Sequence, residues 1–131
     1  KVFVAPTMKF LVWRVAIHTV KHDYVGTARW KDVEFTDKVK RQAMTPDSLL
    51  WKVKGNKDIF TFLNFSSIYR WQTTPLEDGT TEIRLMDLRY LNNGRYSFVA
   101  IAHLTHVNEI DHSYIGWVFS EDKLQRKLFS Q

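Results

Sequence analysis

Apolar and polar residues along the first third of the chain follow the pattern of short strands. Residues 8–19 are rich in β-branched and aromatic types and almost continuously apolar, which is typical of a central strand covered on both faces. Residues 21–23 then turn the chain, and residues 22–30 predict the second strand of an antiparallel hairpin. Residues 31–44 mix charges without a clear period, which indicates a loop with one short strand or turn.

The middle of the chain carries the features of two helices. Residues 45–47, Thr-Pro-Asp, supply an N-cap, a proline tolerated at the first helical position and an acidic group at the positive end of the helix dipole. We therefore predict a short helix over residues 46–54 that ends at Gly55 in a left-handed cap. Asn56 restarts the pattern, and apolar residues at i, i+3 and i+4 then predict a helix that covers the sheet.

The last half of the chain alternates strands with turns. Glu-Asp-Gly at 77–79 and Asn-Asn-Gly at 92–94 are hairpin turn sequences. The predicted strands are 67–75, 80–91, 95–107 and 112–119, and a final short helix begins at Ser120. The sequence thus predicts an α+β fold in one domain, residues 1–131. Its antiparallel sheet has about six strands, two N-terminal and four after the helices, with two or three short helices covering one face.

Composition narrows the possible functions. The chain has 131 residues, 44% of them hydrophobic and 15% aromatic, which supports a folded core. It contains no cysteine, so disulfides, thiol nucleophiles and cysteine zinc sites are excluded. A net charge of +5 favours anionic surfaces as partners. No apolar run approaches the ~20 residues that span a bilayer, and the absence of an initiator Met suggests a piece of a longer protein.

A charged motif, Asp87-Leu88-Arg89, interrupts the strand predicted over 80–91. Side chains at i and i+2 of a strand share a face, so Asp87 and Arg89 should point the same way, with Arg14 of the first hairpin as an available partner. One interpretation is an ion-pair network that fixes the register of the sheet. The other is a ligand site in which Arg14, Asp87 and Arg89 bind a small anion or carboxylate.

A basic stretch surrounds the predicted helices. It is interleaved with apolar residues and contains Lys38, Lys40, Arg41, Trp51, Lys52, Lys54 and Lys57. These residues could contact an anionic bilayer through headgroup attraction and an interfacial Trp. Phosphate contacts with nucleic acid are the less favoured partner, and a solvated face is the third interpretation.

The histidines form a weak metal candidate. His103, His106 and His112 lie within ten residues, but positions 103 and 106 of one strand point to opposite faces and cannot both reach one ion without a bulge. We therefore predict no metal site in this chain. The sequence also has no Gly-x-Ser-x-Gly elbow, no His-Glu-x-x-His helix and too few glycines for a phosphate loop, so no catalytic residue is assigned.

Several short motifs resemble a bacterial family of predicted membrane-bound metal-dependent hydrolases, inner-membrane proteins associated in part with LexA regulation. The motifs are Val4-Ala5-Pro6-Thr7, Leu11-Val12-Trp13-Arg14-Val15, Tyr24-Val25-Gly26, Asp87-Leu88-Arg89-Tyr90 and Phe98-Val99-Ala100. The resemblance implies that the chain is the C-terminal domain that follows a bundle of membrane helices. Those helices, with their metal-binding His and acidic positions, have no counterpart here.

The expected function is therefore that of an accessory domain, with a regulatory, docking or substrate-presenting role and without a complete active site. The resemblance implies that its partner is the N-terminal membrane domain of the same polypeptide, that a divalent metal belongs to the parent protein, and that the chain is membrane-associated through that parent, with the cytoplasmic side as one alternative. Two further functions stay open. They are a small-anion or ligand-binding domain built on the Arg/Asp cluster, and a binder of anionic lipid headgroups or nucleic acid.

Overall fold

The structure confirms an antiparallel α+β fold but divides the strands differently from the prediction. The computed structural model describes residues 1–6, 12–92 and 95–130, except for the side chain of Asn92. Within these ranges the strands form two four-stranded sheets and one two-stranded sheet, accompanied by three α-helices. The predicted single sheet of about six strands is wrong, because the N-terminal hairpin and the four later strands belong to different sheets.

The first sheet is a meander whose strands pair antiparallel in chain order. They are β1 (Val2–Pro6), β2 (Trp13–His18), β3 (His22–Ala28) and β4 (Val33–Lys40). The hairpin of β2 and β3 is confirmed, although residues 8–11 of the predicted first strand lie outside the described residues. β4 is longer than the short strand or turn expected there. A bulge places Val33 and Phe35 of β4 on one face of the sheet and Val39 on the other. The alternation of apolar and polar residues that is typical of a strand is therefore interrupted in the sequence of β4.

Two helices follow the first sheet. They are α1 (Leu49–Val53) and α2 (Lys57–Phe65). The predicted cap of the first helix is wrong, because the side chain of Ser48, not Thr45, accepts the hydrogen bond from the backbone N–H of Trp51. The left-handed cap predicted at Gly55 is also wrong, since Gly55 is not among the glycines with positive φ. The second helix is confirmed, and the side chain of Asn56 caps it.

The second sheet contains the remaining long strands. In spatial order they are β10 (Ile110–Trp117), β9 (Phe98–Leu104), β6 (Thr81–Asp87) and β5 (Tyr69–Pro75). A short hairpin of β7 (Leu91–Asn92) and β8 (Arg95–Tyr96) joins β6 to β9, and α3 (Glu121–Phe129) ends the described chain. The predicted turn at 77–79 is confirmed, with Gly79 at φ 83°. Residues 93 and 94 of the other predicted turn lie outside the described residues.

Helices cover both faces of the second sheet, not one face as predicted. On one face, Leu50 and Val53 of α1 and Ile59 and Phe62 of α2 belong to the same buried cluster as Ile83, Leu85, Ala100, Ala102 and Leu104. On the other face, Leu124 and Leu128 of α3 pack with Met86, Val99 and Ile101. The helices α2 and α3 are both amphipathic. Ser120 caps α3 as predicted.

The first sheet packs against segments that flank the second sheet through one apolar cluster. Ala16 of β2 and Val25 of β3 pack against Ile68, Leu88 and Leu91 of the second unit. All five side chains are at most 2% exposed. The first sheet therefore has one face buried against the rest of the chain, and we call this its inner face.

Candidate functional site

The opposite side of the first sheet, its outer face, is the candidate functional surface. The strand register places Val4 beside Val15, Val15 beside Gly26 and Gly26 beside Phe35, so alternate residues of all four strands share this side. Its large exposed apolar side chains are Val2, Val4, Trp13, Val33 and Phe35. They come from β1, β2 and β4, so the apolar surface crosses the whole width of the sheet.

The outer face is exposed to a degree that is unusual for apolar side chains. Val2 and Val4 are 63% and 60% exposed, and Trp13 and Phe35 are 46% and 47% exposed. The ring of Phe35 lies edge-on to Tyr24, with centroids 6.0 Å apart. An antiparallel sheet with one buried face normally presents polar side chains on the other face. Several large apolar side chains exposed on one sheet face are typical of sites of interaction.

The sequence pattern missed most of this surface. The prediction that residues 8–19 form a strand covered on both faces is wrong for the described part, because Trp13 is exposed on the outer face. Val2 and Val4 on β1, and Val33 and Phe35 on β4, were not expected to act together. The available feature was the spacing of apolar residues at i and i+2 in both segments.

The structure places Asp87 and Arg89 together, but not on a strand. β6 ends at Asp87, and Leu88–Tyr90 form a 3₁₀ turn that the Asp87 carboxylate caps by accepting from the backbone N–H of Arg89 at 2.9 Å. The same carboxylate accepts from Nη2 of Arg89 at 2.6 Å. Asp87 is fully buried. The prediction of a strand through 80–91 is therefore wrong at this end, since the Asp side chain competes with the strand for the backbone.

Arg89 makes further contacts beside its pairing with Asp87. Its guanidinium also donates to the backbone oxygen of Phe65 and lies 4.8 Å from the centre of the Phe65 ring. The hydrogen bond with Asp87 is the main reason that the pKa of Arg89 is raised, with burial acting in the opposite direction. These contacts favour the structural interpretation of the pair over the anion-binding one.

Arg14 does not join the pair through any hydrogen bond among the described residues. Partial burial lowers the pKa of Arg14, and the negative charge of Asp37 on β4 counteracts this shift. The residue lies on β2, paired with Ala5 and Thr27. A shared ligand of Arg14, Asp87 and Arg89 thus remains a prediction.

The basic stretch separates into two groups in space. Lys38, Lys40 and Arg41 lie at the end of β4, on the outer edge of the first sheet. Trp51, Lys52, Lys54 and Lys57 belong to α1 and α2 or the turn between them, and Nζ of Lys54 lies 3.2 Å from the centre of the Trp51 ring. The prediction of lipid or nucleic-acid contact by all seven residues stays untested, but they do not form one continuous strip along one element.

The histidines are held by hydrogen bonds within the fold. His103 on β9 contacts the carboxylate of Asp111 through Nδ1 at 2.7 Å and the hydroxyl of Thr80 through Nε2 at 2.9 Å. Partial burial acts to raise the pKa of Asp111, but the hydrogen bond with His103 and the positive charges of His103 and His112 together lower it. The ring of His112 is tilted by 54° relative to that of His103, with centroids 6.3 Å apart, and His106 lies beyond the end of β9. Among the described residues no three acidic or histidine side chains are grouped as metal ligands.

These observations define an α+β protein with two antiparallel sheets and one apolar sheet face open to solvent. Two family models match it. The model described as the YfhP C-terminal alpha/beta plait domain matches residues 48–128, and the model described as the YfhP middle domain matches residues 1–39. The chain belongs to the YfhP family. The boundary between the two matched regions lies near the end of the first sheet. That residues 1–131 form a single domain stays a prediction.

A curated relative extends the comparison. The chain is 41% identical over 127 residues to an "Uncharacterized protein YfhP" of Bacillus subtilis (strain 168). The matched region covers 97% of this chain and 38% of that protein. The chain therefore spans less than two fifths of the length of the relative it matches. No solved structure matches the chain.

The family matches correct the resemblance drawn from short motifs. The matching models are described as YfhP domains, and neither these descriptions nor the name of the relative mentions a hydrolase, a metal or a membrane. The resemblance to membrane-bound metal-dependent hydrolases is therefore wrong, and the metal and the membrane association that it implied for a parent protein lose their support. The motifs are mostly strand segments, whose β-branched and aromatic composition recurs in unrelated sheets. None of the described helices has both the length and the apolar composition that a membrane span requires.

Proposed function

We propose that the chain is a docking module of a longer YfhP protein, in which the outer face of the first sheet binds another part of the same polypeptide. The observation that carries the proposal is the exposure of five large apolar side chains, Val2, Val4, Trp13, Val33 and Phe35, on one side of one sheet. The proposal keeps the docking role predicted from the sequence and assigns it a surface. It makes no use of a hydrolase activity.

Covering the outer face would stabilise the protein. Fully burying a large apolar side chain contributes about 1.5–3 kcal/mol. Each of the five outer-face side chains is roughly half exposed, so a partner that covers them gains about 1 kcal/mol from each before any cost of association. Such a gain is ample for a stable contact between two parts of one polypeptide, because association within a chain loses less freedom than association between molecules.

The family comparison supports a partner in the same polypeptide. The exposed apolar side chains of the outer face all lie within residues 2–35, inside the segment that matches the YfhP middle domain. A middle domain by its description has neighbours on both sides, and the C-terminal domain is already packed on the inner face. The curated relative also has a large part of its length beyond the matched region. A part of the protein on the other side of the middle domain is thus the partner that the outer face fits.

The absence of cysteine makes a direct test possible. A Val4→Cys variant places one thiol on the outer face, and a Lys123→Cys variant places one on the exposed side of α3 as a matched control. The rate of maleimide labelling is measured for the isolated chain and for the longer gene product that contains it, with other cysteines replaced by serine. We expect both thiols to react rapidly in the isolated chain. In the longer protein, only the thiol at position 4 should become protected.

The controls separate this partner from others. Equal labelling of both positions in the longer protein would refute the proposal. Protection of position 4 already in the isolated chain, together with a dimeric mass in light scattering, would replace the proposal with self-association. Protection that requires added phosphatidylcholine vesicles would replace it with a lipid surface.

A further inference from the structure

We propose that a second site, the basic cleft between the edges of the two sheets, binds a phosphate-bearing anion. The cleft has a volume of about 510 Å³ and is lined by residues 38–42, at the end of β4, and by Arg70 of β5. Both strands are edge strands of their sheets. This site shares none of the five exposed apolar side chains of the outer face and does not depend on the docking function proposed above.

The cleft is a fixed junction rather than a gap between loose surfaces. The side-chain oxygen of Gln42 accepts a hydrogen bond from the backbone N–H of Trp71 at 3.0 Å, which ties the segment after β4 to the edge of β5. Nη1 of Arg41 donates to the backbone oxygens of Thr19 at 3.0 Å and Val20 at 3.4 Å. The C-terminal end of this lining segment is therefore tied both to the β2–β3 turn of the first sheet and to β5 of the second sheet.

The charge of the cleft is the main reason for the proposal. Its described lining contains four cationic side chains and no carboxylate, the cations being Lys38, Lys40, Arg41 and Arg70. None of these four residues forms an ion pair with another described residue. Like charges gathered around one cavity repel one another, and a bound anion relieves that repulsion.

The geometry indicates how an anion would be held. Arg41 uses Nη1 for the backbone of the β2–β3 turn, and it has no described partner on Nη2 or Nε. Nζ of Lys38 lies 5.8 Å from the centre of the Tyr24 ring, so this cation is drawn toward the outer face. The side chains of Lys40 and Arg70 make no hydrogen bond to described residues, and the two residues lie on opposite walls of the cleft, on β4 and β5. Arginine and lysine together are typical of phosphate binding, since guanidinium groups bind two oxygens at once and ammonium groups add charge.

A smaller cavity adjoins the basic cleft and is the other place where an anion could bind. It has a volume of about 100 Å³, shares Arg41 and Gln42 with the basic cleft, and also contains His18 and Asp23. The Asp23 carboxylate is buried and lies 2.7 Å from Nδ1 of His18. An anion is repelled by this carboxylate, so the larger cavity is the one that it would occupy.

The size and composition of the lining indicate the class of ligand. A volume of about 510 Å³ is within the usual range for small-molecule sites. Its apolar contribution comes from Val39 alone, without an aromatic ring on which a base could stack. A polyphosphate or a small phosphate ester fits this chemistry, and the headgroup of an anionic lipid presents the same groups.

The test uses sodium tripolyphosphate and isothermal titration calorimetry on the isolated chain at low ionic strength. We expect saturable one-to-one binding. The double variant Lys40→Gln/Arg70→Gln should weaken it by about tenfold or more, because two charged hydrogen-bond donors are lost. The control variant Lys52→Gln/Lys57→Gln removes the same charge from α1 and α2 and should leave the affinity unchanged within about twofold.

Vesicles containing phosphatidic acid form the second arm, with phosphatidylcholine vesicles as the blank. Binding to tripolyphosphate identifies a soluble phosphate ligand, whereas binding only to phosphatidic acid, lost in the cleft variant and kept in the control variant, identifies a lipid headgroup at the same site. An equal loss in both double variants would overturn the proposal, since it would show an unspecific effect of net charge. Binding of neither probe, or binding of a DNA duplex alone, would overturn it as well.

Discussion

Removing the buried carboxylate of Asp87, by substitution with alanine, should destabilise the whole protein strongly. Asp87 is fully buried and accepts hydrogen bonds from the backbone N–H, Nε and Nη2 of Arg89, at 2.9, 3.0 and 2.6 Å. It also caps the 3₁₀ turn that carries Leu88. Leu88 and Leu91 in turn contact the inner face of the first sheet, so the effect of Asp87→Ala should reach both sheets.

The magnitude follows from the two interactions that are lost. Removing an N-cap costs about 1 kcal/mol. Removing one partner of a buried ion pair costs about 3–5 kcal/mol, and less here because the Arg89 side chain is 20% exposed and can turn toward water. We expect the free energy of unfolding to fall by about 3 kcal/mol, which corresponds to a fall in Tm of about 10 °C for a protein of this size.

The assay is thermal and urea unfolding followed by tryptophan fluorescence and circular dichroism. Glu121→Ala is the matched control, because Glu121 also forms two hydrogen bonds with an arginine, Arg84, at 2.7 and 3.0 Å, but its side chain is 57% exposed. Its loss should cost about 0.5 kcal/mol. Asp87→Asn keeps an oxygen for the cap and should fall between the two. If Asp87→Ala and Glu121→Ala lowered stability equally, the structural role assigned to the Asp87–Arg89 pair would be refuted.

Three further predictions use the same unfolding measurements. Gly26→Ala should cost about 1–3 kcal/mol, because its Cβ would collide with backbone atoms of β4, whereas Gly55→Ala, with open space around it, should change stability by less than about 0.5 kcal/mol. Ser113→Ala should cost about 1 kcal/mol, because its hydroxyl joins the first turn of α2 to β10. The hydrogen bond with Arg84 lowers the pKa of Glu121 below 4.5. The difference between wild type and Glu121→Gln should therefore be complete above that pH and vanish as the pH falls through the lower pKa of the folded protein.

Elements fixed by nearby residues could be predicted from the sequence. The helix α2 follows from the cap at Asn56 and the spacing of Ile59 and Phe62, which lie buried against the second sheet. The helix α3 begins at Ser120 as expected, with Glu121 and Asp122 in its first turn. Helix caps, turns and amphipathic spacing each depend on residues that are close together in the sequence, so they can be predicted from the sequence alone.

Elements fixed by distant contacts could not be predicted. Nothing in the pattern of residues 13–28 states that this hairpin pairs with β1 and β4 rather than with the later strands, because strand pairing is a choice between remote segments. The bulge between β3 and β4 reverses which side of β4 is apolar. The end of β6 at Asp87 depends on a side chain that bonds to its own following backbone, which strand spacing does not show.

The candidate sites were hidden for the same reason. The outer face is recognisable only when the inner face is known to be covered, and that requires the contact of Val25 with Leu88 across the two sheets. The basic cleft joins Lys40 to Arg70, thirty residues apart in the sequence, whereas the other half of the predicted basic stretch lies on α1 and α2. Charge density along the chain thus indicated basic character but could not indicate which cations share a cavity.

The buried Asp87–Arg89 ion pair supports the segment on which the first sheet, with its exposed outer face, is packed. A docking surface binds well only when its scaffold holds it in one orientation, because mobility of the surface has to be lost on binding. The first sheet is held by Leu88 and Leu91, and the turn that presents Leu88 is capped by Asp87. In the proposed docking function, the Asp87–Arg89 pair would act by fixing the sheet rather than by touching a ligand. On this reasoning Asp87→Asn should loosen the protection of a thiol at position 4 in the longer protein, while Glu121→Gln should leave that protection unchanged.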